Sequence, residues 1–180
     1  DGTDDNLCLQ SSGLPVQDVH ISDCAFTSVC AGIRIGLKSI AEIPGVVISN
    51  CTMRNVWREG IKLECTEGTM ARLRFVGTTA VDDEEMTHAQ RRFDTDIMGE
   101  PQFGGCRFDS NAAQPMQDVT IRDFSYTAIG GVRLADLPAA PGSENYYPNW
   151  SRTTLLGARH MWGLTPENLH FITLHSDEGP

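Results

Sequence analysis

Four segments of the chain carry one pattern of apolar and polar residues: Asp18-Val-His-Ile-Ser-Asp-Cys24, Gly45-Val-Val-Ile-Ser-Asn-Cys51, Asp118-Val-Thr-Ile-Arg-Asp-Phe124 and Glu167-Asn-Leu-His-Phe-Ile-Thr173. In the first three, Val and Ile stand two positions apart in the pattern x-Val-x-Ile-x, and Asp or Asn then precedes Cys or Phe. A side-chain period of two belongs to a β-strand with one buried face. A second short run follows each of these three, at offsets of 14, 15 and 13 residues: Gly32-Ile-Arg-Ile-Gly36, Gly60-Ile-Lys-Leu-Glu64 and Gly131-Val-Arg-Leu-Ala135. The four segments start at positions 18, 45, 118 and 167, which reads as one, three and two steps of about 25 residues. Two or three strands per step leave no room for helices. The Asn-Gly and Asp-Gly pairs that mark antiparallel hairpins are absent from the repeats.

The pattern therefore predicts an all-β solenoid, each repeat making one turn and stacking in parallel on the last. The Ile and Val positions would form ladders pointing inward. Cys24 and Cys51 fall at equivalent positions and are expected to stack as thiols in neighbouring turns. Met70-Ala-Arg-Leu-Arg-Phe-Val76 reads as a further strand. The polar stretch Val81–Arg92 reads as an exposed excursion with a short helix, and Pro138–Pro148 as a second. One domain spanning 1–180 is expected, with loops near 81–105 and 136–155, where solenoids build their sites.

Composition narrows the classes. The chain has 180 residues, 40% hydrophobic and 21% charged, enough apolar material for a core and unlike a disordered tail. Lys and Arg number 14 against 24 Asp and Glu, a net charge of −10, which repels phosphate backbones and argues against a nucleic-acid partner. No apolar run approaches the roughly 18 residues of a membrane span. The chain starts at Asp1 with no signal-like apolar region, and reads as a mature, trimmed or internal piece of a protein. Six cysteines allow 15 full pairings. Buried thiols are the simplest reading, and disulfides stay open for an exported protein.

Thr3-Asp4-Asp5-Asn6-Leu7-Cys8-Leu9-Gln10-Ser11 resembles the Gly-Asp-Asp-x-Ile-x-Ile-Lys-Ser block of glycoside hydrolase family 28, the polygalacturonases and rhamnogalacturonan hydrolases. Cys30-Ala31-Gly32-Ile33-Arg34-Ile35-Gly36 is similar to that family's Gly-His-Gly-x-x-x-Gly block, and Gly60-Ile61-Lys62-Leu63-Glu64 sits where it carries Arg-Ile-Lys. The stretch from Tyr147-Pro148 through Ala158-Arg159-His160 to Leu164, Asn168 and Asp177–Pro180 is similar to a pattern of bacterial members.

The resemblance implies a right-handed parallel β-helix, of which this chain would be a C-terminal portion. It also implies inverting hydrolysis of α-linked pectic or related plant polysaccharide, outside the cell or in the periplasm. Inversion needs a protonated carboxyl for the leaving oxygen and a second, ionised one for water, roughly 6.5–9.5 Å apart. The motif match makes Asp5 the acid and gives Asp4 the water; the family's third aspartate lies on a preceding coil. Adjacent strand residues point to opposite faces, so this pair can serve one cleft only at a bend.

The chain departs from the family at three points. Its histidine falls on Ala31, its Arg-x-Lys pair on Lys62 and Glu64, and its lysine on Gln10. Lys62 would hold a substrate carboxylate while Glu64 repels it. Arg34, Lys62 and Arg133 share one strand position and would form a basic stripe for an acidic glycan. Trp57, Tyr146, Tyr147 and Trp150 offer faces for sugar stacking. Arg159-His160 reads as structural. No cofactor and no metal are expected, since the acidic start lacks EF-hand spacing, and the protein should act as a monomer on a polysaccharide. A non-catalytic carbohydrate-binding β-helix and a structural β-helix of an adhesin or tail are the rival readings. The reading requires Asp5 and Lys62 to meet on one face although 57 positions separate them.

Overall fold

In a computed structural model, the structure describes residues 4–28, 30–56, 59–65, 67–82, 104–110, 113–130 and 155–175. These residues form strands and no helix, and every strand pairing is parallel. No helix long and apolar enough to cross a membrane occurs among them. The strands lie in two curled sheets.

The first sheet is one ladder of five: β1 (Leu7–Leu9), β4 (Ile33–Ile35), β7 (Glu59–Cys65), β10 (Gly104–Ser110) and β12 (Leu156–Arg159). The second sheet has two arms. One arm runs β2 (Val19–Ser22), β5 (Ile43–Ser49), β8 (Met70–Val76); the other runs β3 (Ala25–Phe26), β6 (Thr52–Arg54), β9 (Thr79–Asp82). The long β11 (Met116–Gly130) continues both arms, pairing β8 with its first half and β9 with its second. β13 (Met161–His175) then follows β11 along its length. The chain thus visits the three ladders in a fixed order and returns to the first.

The bend between the arms explains the Asp or Asn of the repeat. Asp23, Asn50, Gly77, Asp123 and Asn168 stand one residue past partners paired in register, and all have positive φ, from 49° to 62°. Asn, Asp and Gly adopt this left-handed conformation most cheaply. The amides also stack: Asn168 donates to Asp123 at 2.7 Å and Asn50 to Asp23 at 3.5 Å. A second left-handed row, Asp18, Gly45, Arg72, Asp118 and Gly163, precedes the same ladder, with φ from 53° to 73°.

These rows correct the repeat. Its members start at 18, 45, 72, 118 and 163, in steps of 27, 27, 46 and 45. The distance from 45 to 118 is two steps rather than three, and 118 to 163 is one rather than two, because the steps of 46 and 45 residues exceed the period of about 25. The last member is Gly163-Leu-Thr-Pro-Glu-Asn-Leu169, four residues earlier than the pattern suggested. Pro166 occupies the Ile slot, which disguised it. Proline is tolerated there because, among the described residues, β13 pairs with β11 alone.

The ladders enclose one core. Ile33, Ile35, Ile61, Leu63 and Phe108 of the first sheet face Val46, Ile48, Met53, Leu73, Phe75, Val119 and Ile121 of the second, all fully buried. Phe75 and Phe108 stack across it at 6.1 Å. At Gly105 a side chain would come within 2.6 Å of the Leu155 carbonyl oxygen and 3.1 Å of Phe124, so backbone and ring approach only because the Cβ is missing.

All six cysteines are free thiols. Cys24 and Cys51 stack in adjacent windings as expected, each donating to the carbonyl two residues back, Ser22 and Ser49, at 3.2 and 3.3 Å. Cys51, Cys65 and Cys106 are buried, whereas Cys24 and Cys30 are half-buried and Cys8 is exposed, so the buried-thiol reading holds for three. Burial pushes the Cys65 thiol up to about 11. The loop expected near 81–105 is shorter at both ends, since Val81 and Asp82 belong to β9 and Gly104 and Gly105 to β10; the rest of it with the expected helix, the strand Gly131–Ala135 and the excursion Pro138–Pro148 lie outside the described residues.

Phe108→Ala should destabilise by about 3–5 kcal/mol in urea unfolding, because it empties the contact between sheets. Asn50→Gly should change stability by only a few tenths, while Asn50→Ala should cost about 1–2 kcal/mol, the left-handed penalty for a side chain that cannot hydrogen-bond locally as Asn does.

Candidate functional site

Stacking in register puts like residues of successive windings side by side. On the first sheet Cys8, Arg34, Lys62, Arg107 and Gly157 occupy one row. Their neighbours Ile33, Ile35, Ile61 and Leu63 point into the core, so alternation sends Arg34 and Lys62 to the opposite face. The basic stripe expected from Arg34 and Lys62 is therefore present, but its third member is Arg107. Arg133 lies outside the described residues. The signal for Arg107 was available: Gly105-Cys-Arg-Phe108 has the grammar of Gly32-Ile-Arg-Ile35 and Gly60-Ile-Lys-Leu63.

These cations are buried: Arg34 is 7% exposed, Lys62 4% and Arg107 7%. Burial of charge demands counter-ions, and rows on either side supply them. Asp5 lies beside Arg34, its Oδ2 3.1 Å from Nη1, while its Oδ1 accepts the Ala31 N–H at 3.0 Å. The other guanidinium nitrogen of Arg34 donates to Glu64 Oε2 at 2.8 Å, and Lys62 Nζ lies 3.6 Å from the same oxygen. Arg107 lies 3.6 Å from Glu59 and 3.5 Å from Asp109. Arg159 closes the series with a two-pronged bond to Asp109, at 2.8 and 2.9 Å.

Asp5 and Lys62 thus share a face and are joined through Arg34 and Glu64, as the sequence reading required. Glu64 was expected to repel a substrate anion; here it is a counter-ion for Arg34 and Lys62. Burial alone would push its carboxyl up, but Lys62 and the Arg34 hydrogen bond outweigh it and hold it below the usual range. Burial would likewise lower Arg34, and the bond to Glu64 with the charge of Asp5 raises it instead. Lys62 goes the other way: burial lowers it, despite Glu59 and Glu64.

Asp4 is exposed, and its Oδ1 accepts the Asp5 N–H at 2.8 Å. The pair does sit at a bend. Asn6 donates to the Thr27 carbonyl at 2.6 Å, Ser28 donates to the Asp4 carbonyl, and the Cys30 N–H donates back to Ser28 at 3.0 Å. One carboxylate oxygen each of Asp4 and Asp5 and the Cys30 sulfur lie within 4.8 Å of one another. That is tighter than the carboxyl separation of roughly 6.5–9.5 Å associated with inversion. It is also the group among the described residues whose ligand atoms converge enough to hold a metal ion, although Asp5 spends both oxygens on Ala31 and Arg34. The carbonyl of His160 accepts from Ser110 at 3.1 Å and from the Met116 N–H at 3.2 Å, contacts that hold the turn before β13. Trp57, Tyr146, Tyr147 and Trp150 lie outside the described residues.

No protein-family model, no curated protein and no solved structure matches the chain.

Arg34→Met strands Asp5 and Glu64 without their shared cation and should cost about 3–5 kcal/mol. Adding Asp5→Asn and Glu64→Gln should recover part of that loss. The lowered Glu64 carboxyl stabilises the fold above its unfolded value near pH 4.3, and this is lost as pH falls through the lower folded value. The stability difference between the native chain and Glu64→Gln should therefore shrink as urea unfolding is repeated from about pH 6 down to about pH 3.

Proposed function

We propose that the chain is a right-handed parallel β-helix acting as a glycoside hydrolase of the family 28 type. Its substrate would be α-linked pectic or related plant polysaccharide met outside the cell or in the periplasm. Three parallel ladders visited in turn support the coil. The observation that carries the activity is the connected series Asp5–Arg34–Glu64–Lys62, which joins the aspartate and the cation of two separate motif blocks on one face. On this reading Asp5 protonates the leaving oxygen and Asp4, at the exposed end, orients the water. Asp5 must first let go of Arg34, so substrate entry and release of that pair are coupled. Lys62 and Arg34 hold the sugar.

A second reading, a non-catalytic β-helix that binds carbohydrate, is favoured by the state of Asp5. Both its oxygens are committed to N–H donors, and the position of the family histidine holds Ala31.

Reducing-end release from polygalacturonate, rhamnogalacturonan and neutral plant glycans separates the two. The hydrolase reading expects release from one of them and a fall of about 10²–10⁴-fold in Asp5→Asn, the size of a lost general acid. Binding without release supports the second reading. Neither binding nor release overturns both.

A further inference from the structure

Glu59 stands at the start of β7 on the charged face, and nothing in the motif blocks assigns it a part. Its side chain is 2% exposed. Both carboxylate oxygens are buried, and neither accepts a hydrogen bond. Arg107 lies 3.6 Å away, an ion pair beyond hydrogen-bond reach. A buried carboxylate in this condition is costly, and native structures leave few such groups without a reason. The carboxylate is aimed at the cation row, since Arg107 Nη1 and the charge of Lys62 both feel it. On the same face the Nε–H groups of Arg34 and Arg107 are also buried without an acceptor.

Charge decides what would fill this place. Arg34, Lys62, Arg107 and Arg159 are matched by Asp5, Glu59, Glu64 and Asp109, four cations against four carboxylates. Among the described residues of this row the charges balance, and a uronate carboxylate would enter beside Glu59 as a fifth anion. On this face the buried side-chain atoms without a hydrogen bond are two acceptors on Glu59 and two donors, the Nε–H groups of Arg34 and Arg107. A neutral sugar hydroxyl donates to the first and accepts from the second.

We infer that Glu59 is a specificity-determining residue that accepts hydroxyl groups of a neutral sugar and disfavours uronate. This rests on the reading of the charged face as a glycan site and narrows its substrate class. The neighbouring cations keep Glu59 in place and strengthen the bonds it makes, since hydrogen bonds to charged acceptors are the stronger kind.

The test is calorimetric titration of the whole chain with neutral galacto-, arabino-, xylo- and gluco-oligosaccharides and with oligogalacturonate. One neutral series should bind at least roughly tenfold tighter than oligogalacturonate, the scale of one charge-assisted hydrogen bond. Glu59→Gln, checked for folding by far-UV circular dichroism, should weaken that neutral ligand roughly tenfold and strengthen oligogalacturonate, because an anion has gone. Should the variant not fold, the native chain still decides. Its affinity for the neutral ligand should hold from about 50 to about 500 mM salt, where an ionic contact would fade. Tighter binding of oligogalacturonate by the native chain overturns the inference and leaves the hydrolase proposal standing. Unchanged neutral binding in a folded Glu59→Gln overturns the role of Glu59. No binding of any glycan overturns both proposals.

Discussion

Parallel pairing in register is the constraint from which the rest follows. Each backbone group bonds to its counterpart one winding away, so each side chain stands beside the residue at the same place in the repeat, with strands about 4.8 Å apart. Inside, that stacking is favourable: isoleucine lies on isoleucine, and the two faces close on the Phe75–Phe108 contact. At the bends it is favourable too, because five residues that tolerate positive φ share one corner. On the outer face of the first ladder it creates a difficulty, since it brings Arg34, Lys62 and Arg107 together.

Two unit charges of one sign about 5 Å apart repel by about 3 kcal/mol at an effective dielectric of about 20. A row of three buried cations therefore needs acids close by. Glu64 answers Arg34 and Lys62, Asp109 answers Arg107 and Arg159, and Asp5 caps the row at Arg34. The same arrangement bears on function. A face neutralised by its own carboxylates offers a ligand hydrogen bonds rather than net charge, and Asp5, the proposed acid, is also a counter-ion. On the proposed reading, ligand binding and ion-pair rearrangement would be one event.

Much of this was legible in the chain. Alternation identified the strands, the absence of hairpin pairs indicated parallel stacking, and equivalent positions anticipated the Cys24–Cys51 stack. The last repeat was misplaced because Pro166 does not look like a strand residue, though it sits where only one side of the strand is paired. The step count between Gly45 and Asp118 was wrong because the steps are unequal, 27 and then 46 residues, where a fixed period was assumed. Arg107 was passed over because Cys106 and Phe108 stand where other windings have Ile or Leu.

The sequence by itself determined the local grammar: which residues alternate, where a left-handed bend is cheap, and which cations fall at the same step of the repeat. Those are properties of a residue and its near neighbours. Tertiary structure decided which winding meets which, and hence that Glu64 neutralises rather than repels, that Asp5 is held by Arg34, and that Glu59 is buried without a hydrogen-bonding partner. Such facts depend on distances between residues some 30 to 50 positions apart, set by which strand pairs with which, which short-range pattern does not encode.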